Sequence, residues 1–229
     1  MFVRQKRSIR ETYPCQSCRS TLRYRVQAEA ILNHYSSLAA PDLTSLVKMP
    51  GFRNLVIFEP GISGPFRAIF KGLPHYTKSF YWSDLASGAM RDGVTNQDLM
   101  ALSLADASVD LVITSDIFEH VRHPYRAFAE ISRVLKPGGA HIFTIPTASP
   151  LAPKTVKRVD VDGDEDVFLL PEVYHGDGKG GRSLVYNDFG MDMLDELEKL
   201  ATTTTIFSYP YNERPVRSAL AFVSVKKHS

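Results

Sequence analysis

The sequence predicts a doubly wound α/β domain, a mostly parallel sheet with helices on both faces. Short β-branched runs such as Leu111-Val112-Ile113 are apolar enough to be buried on both faces. Segments of helical period alternate with these runs, and glycine and proline turns separate the two kinds. The first run, Leu55 to Phe58, is a buried strand opening onto Glu59-Pro60-Gly61-Ile62-Ser63-Gly64-Pro65. Pro65 suits the first turn of a helix through Phe66 and Phe70, where a missing N–H costs nothing. Ser79 to Trp82 is a second strand, ending near Asp84, and Leu111 to Ile113 is the next. Pro124, Phe128, Ile131 and Leu135 recur at helical spacing until Lys136-Pro137-Gly138-Gly139 ends the helix, and the strand His141 to Ile145 follows. Met193, Leu194, Leu197 and Leu200 mark a last helix, with Thr202 to Tyr209 and Ala219 to Val225 as a closing strand pair. The polar, glycine-rich stretch 147–187 is too long for a plain loop in a compact domain and reads as a functional cover or a mobile insertion.

A chain of 229 residues has room for one core and an appendage. With 44% hydrophobic and 23% charged residues it is neither disordered nor collagen-like. No apolar run approaches the roughly 20 residues that span a bilayer. The basic N-terminus lacks the apolar core of a secretory signal, so a cytoplasmic location is expected. The net charge of +2 hides an asymmetry: residues 1–25 carry +6 and the remainder −4. The basic arm reads as a solvated leader, and nucleic-acid binding through it is the least supported function because the body has no aromatic-interleaved basic stripe. Cys15 and Cys18 form a lone C-x-x-C, half of a zinc knuckle, and four ligands would be needed for a structural ion. The acids at 160, 162, 164, 165 and 166 lack the closing glutamate of an EF-hand, so no metal site is expected. The division read here is a basic appendage at 1–49 and a sheet domain at 50–229.

In an open α/β sheet the ligand sits beyond the carboxyl ends of the strands. There the sequence places Glu59, then Gly61 and Gly64, which let the backbone approach a ligand. Asp84 follows the second strand, where a carboxylate accepts hydrogen bonds from ribose hydroxyls. Asp98 is placed to take an adenine amino group while Leu99 packs on the ring. The dinucleotide fingerprint G-x-G-x-x-G is absent, which lowers a dehydrogenase reading.

Residues 110–121 (DLVITSDIFEHV), 130–139 (EISRVLKPGG) and 142–146 (IFTIP) together resemble class I S-adenosylmethionine-dependent methyltransferases, in the subgroup with E-H-V after the fourth strand. The resemblance extends from about residue 50 onward. It implies a Rossmann-like seven-stranded sheet with the last strand antiparallel and S-adenosyl-L-methionine as cofactor. Glu59, Gly61, Ser63 and Gly64 then fall around the methionine part, Asp84 at the ribose, Asp98 and Leu99 at the adenine, and Ser115 and Asp116 where the chain passes the cofactor. The first motif departs from acid-x-G-x-G-x-G, with Ser63 for the second glycine and Pro65 for the third.

Methyl transfer from a sulfonium mainly needs alignment and exclusion of water, with a group to take the acceptor's proton. His120 is the first candidate for that group, and Asp116, Tyr174 and His175 are the others. The expected reaction is methylation of an oxygen or nitrogen of a small molecule or of a glycan or lipid precursor. The alternative is a non-catalytic binding protein that kept the fold while its first motif decayed.

Overall fold

The computed structural model describes residues 9–12, 14–61, 64–148, 150–163, 165–176, 180–211 and 214–228. Its helices are α1 (Ile9–Thr12), α2 (Leu22–His34), α3 (Leu43–Leu46), α4 (Pro50–Arg53), α5 (Phe66–Phe70), α6 (Pro124–Val134) and α7 (Met193–Glu198). The main sheet holds β1 (Ile57–Pro60), β2 (Tyr76–Phe80), β3 (Met90–Arg91), β4 (Val94–Asn96), β5 (Val109–Ser115), β6 (Leu135–Thr144), β7 (Thr202–Tyr211) and β8 (Arg214–Lys226). Their spatial order is β7-β8-β6-β5-β1-β2-β4-β3. The pairs β1–β2, β1–β5, β5–β6 and β2–β4 are parallel, while β8 runs antiparallel to both β6 and β7. The mostly parallel sheet with a reversed last strand is therefore as expected. The sheet has eight strands rather than seven, the extra one being β3, a two-residue partner of β4.

Both faces of the central strands are buried. Leu111, Ile113 and Ile142 face a layer formed by α2 to α5, and Val112 and Phe143 face α6 and α7. Along β8 the same alternation puts Ala219, Ala221 and Val223 on the first side and Leu220 and Phe222 on the second. Helix α6 starts on Pro124 and turns Ala127, Phe128, Ile131 and Val134 inward, where Phe128 stacks on Phe118 at 3.8 Å between ring centroids. Between β4 and β5, residues 97–108 contain no helix. They are held from α6 by Arg133, which donates to the carbonyls of Leu102 and Leu104 and pairs with Asp106 and Glu130.

The structure differs from the sequence reading at the N-terminal side. Residues 22–53 do not stand apart as an appendage: Val26, Ala30, Ile31, Leu43, Leu46 and Phe52 share one core with Ile57, Leu111 and Ile113. Gln27, fully buried, donates to the carbonyls of Thr114 and Ile142 and accepts from the Ser115 hydroxyl, so α2 ties the ends of β5 and β6 together.

The stretch 147–187 is built from short antiparallel ribbons. Val156–Lys157 pairs with Asn187–Asp188, Val159–Asp160 with Val167–Phe168, and Tyr174–Gly176 with Arg182–Leu184. Its base is clamped at Gly190, where a Cβ would overlap the Lys154 carbonyl carbon and lie 2.7 Å from Thr155 N. Gly190→Ala is therefore expected to lower stability by about 1–3 kcal/mol, as overpacking against fixed backbone does. Thermal unfolding checks this, and an unchanged midpoint would refute the clamp.

Candidate functional site

A cavity of about 870 Å³ opens at the carboxyl ends of β1, β2, β5 and β6. Its floor is Glu59, Pro60 and Gly61 after β1, Ser79 to Tyr81 at the end of β2, Gln97 to Met100 after β4, and Ser115 to Ile117 after β5. Gly61 and Gly64 have φ of +104° and +124°, which explains glycine at both positions of this turn. Glu59 is buried and accepts a 2.6 Å hydrogen bond from the Tyr76 hydroxyl. Burial pushes its carboxyl up to about 7, although the Tyr76 bond and the Arg67 charge oppose the rise.

The N-terminal residues form one wall. Arg10 makes a bidentate pair with Asp116, both bonds 2.5 Å, and also reaches the Ile145 carbonyl at 3.4 Å. Arg23 pairs with Glu11 and stands 3.4 Å from Asp116, whose Oδ1 accepts from Thr144 as well. These contacts hold Asp116 at φ +51°, a left-handed conformation uncommon outside glycine. Burial alone would raise the Asp116 carboxyl, but Arg10 and Arg23 outweigh it and hold the group below its ordinary value.

The ribbon Tyr174–Gly176 and its partner strand cover the opposite side. His120 Nδ1 lies 2.8 Å from the Leu184 carbonyl, which makes Nδ1 the protonated nitrogen and leaves the lone pair on Nε2. Nε2 stands 3.5 Å from Glu119 Oε1, and His175 Nδ1 stands 3.7 Å from the same oxygen. Burial depresses the His120 imidazole, whereas the Glu119 carboxylate holds His175 up. Tyr186 completes the wall through its backbone bond to the Glu119 carbonyl and its hydroxyl bond to Asp166.

Of the sequence candidates, Glu59, Gly61, Asp98, Leu99, Ser115, Asp116, His120 and His175 line this one cavity. Asp98 turns its carboxylate onto the Met100 N–H at 2.8 Å. Asp84 does not join them: β2 ends at Phe80, and the exposed Asp84 side chain pairs with Arg91 at 2.8 Å. Tyr174 also stays outside, its hydroxyl on Glu172 and the Arg182 guanidinium over its ring. Gly64 packs against Tyr24 rather than lining the cavity, and Ser63 lies outside the described residues. Sequence reasoning missed Tyr81, Tyr186, Arg10, Arg23 and Tyr24. Only the arginines left a trace in the sequence, as part of the basic run of the first 25 residues.

A sheet of this order, with its cavity at the switch between β1 and β5, is the Rossmann-like arrangement that the resemblance to class I methyltransferases implies. Residues 79–143 match a family model described as a methyltransferase domain. An uncharacterized methyltransferase of Mycobacterium ulcerans (strain Agy99) is 47% identical over 45 residues, 20% of this chain and 18% of that protein. A dimethylglycine N-methyltransferase of Parasynechococcus marenigrum is 48% identical over 46 residues, 20% of this chain and 16% of that one. The matched segment thus spans less than a fifth of the length of these relatives. A solved S-adenosylmethionine dependent methyltransferase from Mesorhizobium loti aligns over 81% of this chain and 100% of its own, at 20% identity and a TM-score of 0.48. The matched segment and the order of the sheet agree with the expected class I S-adenosylmethionine-dependent methyltransferase. Among the described residues no helix is long and apolar enough to cross a membrane.

Proposed function

We propose that the protein transfers a methyl group from S-adenosylmethionine to an oxygen or nitrogen of a small molecule or of a glycan or lipid precursor. The observation that carries this reading is the single cavity in which strand-end groups fit for a nucleoside face a covered wall of polar side chains. On the nucleoside side, Glu59, Gly61 and Ser63 would hold the methionine part and Asp98 with Leu99 the adenine, while Gly64 would only shape the turn. Tyr81, at the end of β2, replaces Asp84 as the group nearest the ribose.

The cofactor already carries its leaving group, so the protein must align the acceptor and exclude water. The ribbons of 147–187 serve the second need, and Asp116, His120, His175 and Tyr186 would meet the acceptor. With Nδ1 tied to Leu184, His120 offers Nε2 as the atom that takes the acceptor's proton. Tyr174 would support His175 from the neighbouring position in the ribbon.

Calorimetry with S-adenosylhomocysteine tests the reading. One equivalent is expected to bind, Asp98→Ala to weaken it at least tenfold, and Asp84→Ala to leave it unchanged. A second reading, a binding protein without activity, is favoured by the lack of a carboxylate on the cavity lining at the end of β2 and by Pro65 in the first turn. Absence of binding to the intact chain would select it.

A further inference from the structure

Outside the cofactor side of the cavity, Glu119 lies in the one-turn helix Phe118–His120 that follows β5. It is 1% exposed, and among the described residues neither carboxylate oxygen has a hydrogen-bond partner. A buried carboxylate is normally paired or fully hydrogen-bonded, and leaving it otherwise is costly. Two imidazoles flank it without closing the contact, at 3.5 and 3.7 Å, both beyond a good hydrogen bond. One oxygen of Glu119, one nitrogen of His120 and one of His175 all lie within 4.8 Å of one another.

The geometry points to a site for a divalent first-row transition-metal ion held by Glu119, His120 and His175. Ligand atoms about 2.0–2.2 Å from a common ion are about 3.4 Å apart in a tetrahedron, so two of the three separations are already near that value. His120 has the outer-sphere bond usual for a metal-bound imidazole: Nδ1–H donates to the Leu184 carbonyl and turns the Nε2 lone pair to the site. Two imidazole nitrogens with one carboxylate oxygen favour zinc, iron, cobalt or manganese over magnesium or calcium. Three protein ligands leave at least one position open. It faces the cavity, because His120 and His175 are both on the lining.

The site assembles only in the fold. Glu119 and His120 come from the one-turn helix Phe118–His120 after β5, and His175 from the ribbon strand Tyr174–Gly176. An ion would therefore fasten the cover to the sheet as well as offer a Lewis acid beside the acceptor. With the ion in place His120 is a ligand rather than a proton acceptor, and the ion would acidify a coordinated acceptor hydroxyl instead.

Metal binding can be read without cofactor or acceptor, so its outcome is separate from that of the methyl-transfer reading. Chelator-treated full-length protein is titrated with Co²⁺ and followed by visible absorption and by metal content after gel filtration. One tightly bound equivalent is expected, displaced by Zn²⁺, with affinity reduced at least tenfold in His175→Ala and in Glu119→Gln. His175 is half-exposed on a ribbon, so its variant is expected to fold, as circular dichroism checks; it decides the matter if Glu119→Gln does not fold. Failure of the intact chain to take up one equivalent would overturn the proposal. So would uptake that His175→Ala leaves undiminished, the result expected if Cys15 and Cys18 held the ion.

Discussion

Replacing Asp116 with alanine is expected to destabilise the protein by about 3–5 kcal/mol, the usual cost of removing one partner of a buried pair. In a chain of this size that is about 10 °C in thermal midpoint. The Arg10 side chain is 7% exposed and spends its two terminal nitrogens on Asp116, while Arg10 Nε has no partner among the described residues. Without the carboxylate, a guanidinium would be left buried with only the Ile145 carbonyl and Glu11. Because Arg10 lies on a helix of only four residues, the cheapest relief is for that segment to leave the cavity wall. Trypsin should then cut at Arg10 much faster than in the wild type. Arg10→Met should cost less, since Asp116 would keep Arg23 and Thr144 while no charge is stranded. Equal protection of Arg10 in Asp116→Ala and wild type would refute this account.

The pH dependence of the same pair has a definite sign. Asp116 is held below its ordinary value of 3.8, so its contribution is fully present above that value and is lost as pH falls through the lower folded value. The gap between wild type and Asp116→Ala should therefore be constant from neutral pH down to about 5 and close only in stronger acid.

Most of the fold was legible because its strands are buried on both sides. A run such as Leu111 to Ile113 or Ile142 to Phe143 has no solvent face to blur the pattern, and α6 announces itself by Pro124 and a clean apolar stripe. Strands β3 and β4 were not legible. Met90–Arg91 and Val94–Asn96 are too short and mixed to carry a period, and they are strands only because β2 offers an edge. The site was legible where it follows directly from a strand end, as at Glu59, Ser115 and Asp116. It failed at Asp84 because the sequence cannot say where β2 stops: the strand ends four residues earlier, and Arg91 draws the carboxylate outward. Arg10 and Arg23 looked like a solvated leader because a long-range ion pair with Asp116 leaves no local signature. Glu119 was visible in the E-H-V motif, but its burial and the approach of His175 from a ribbon more than fifty residues away are properties of the fold alone.

Glu59→Gln is expected to change stability and cofactor affinity in opposite directions. The Glu59 carboxyl is raised from 4.5 to about 7, chiefly by burial. A raised folded value means that its contribution is fully present below 4.5 and is lost as pH climbs through 7, about 3 kcal/mol over that interval at 1.36 kcal/mol per pH unit. Glutamine keeps the volume and an oxygen for the 2.6 Å bond from Tyr76, yet has no charge to desolvate. The variant's unfolding free energy should therefore stay nearly level from pH 5 to 8.5 while the wild type's falls. Parallel profiles would show that Glu59 is not the group responsible. The ionised carboxylate that weakens the empty fold is the one a cationic methionine moiety would need, at the end of β1 beside Gly61. Binding of S-adenosylmethionine should accordingly expel a fraction of a proton near pH 7, seen as a dependence of calorimetric heat on the buffer's ionisation enthalpy. Glu59→Gln should abolish that proton release and weaken binding at least tenfold even as it raises the thermal midpoint. That pairing follows if a strained carboxylate is retained for its ligand; a gain in stability without loss of affinity would place the cofactor elsewhere.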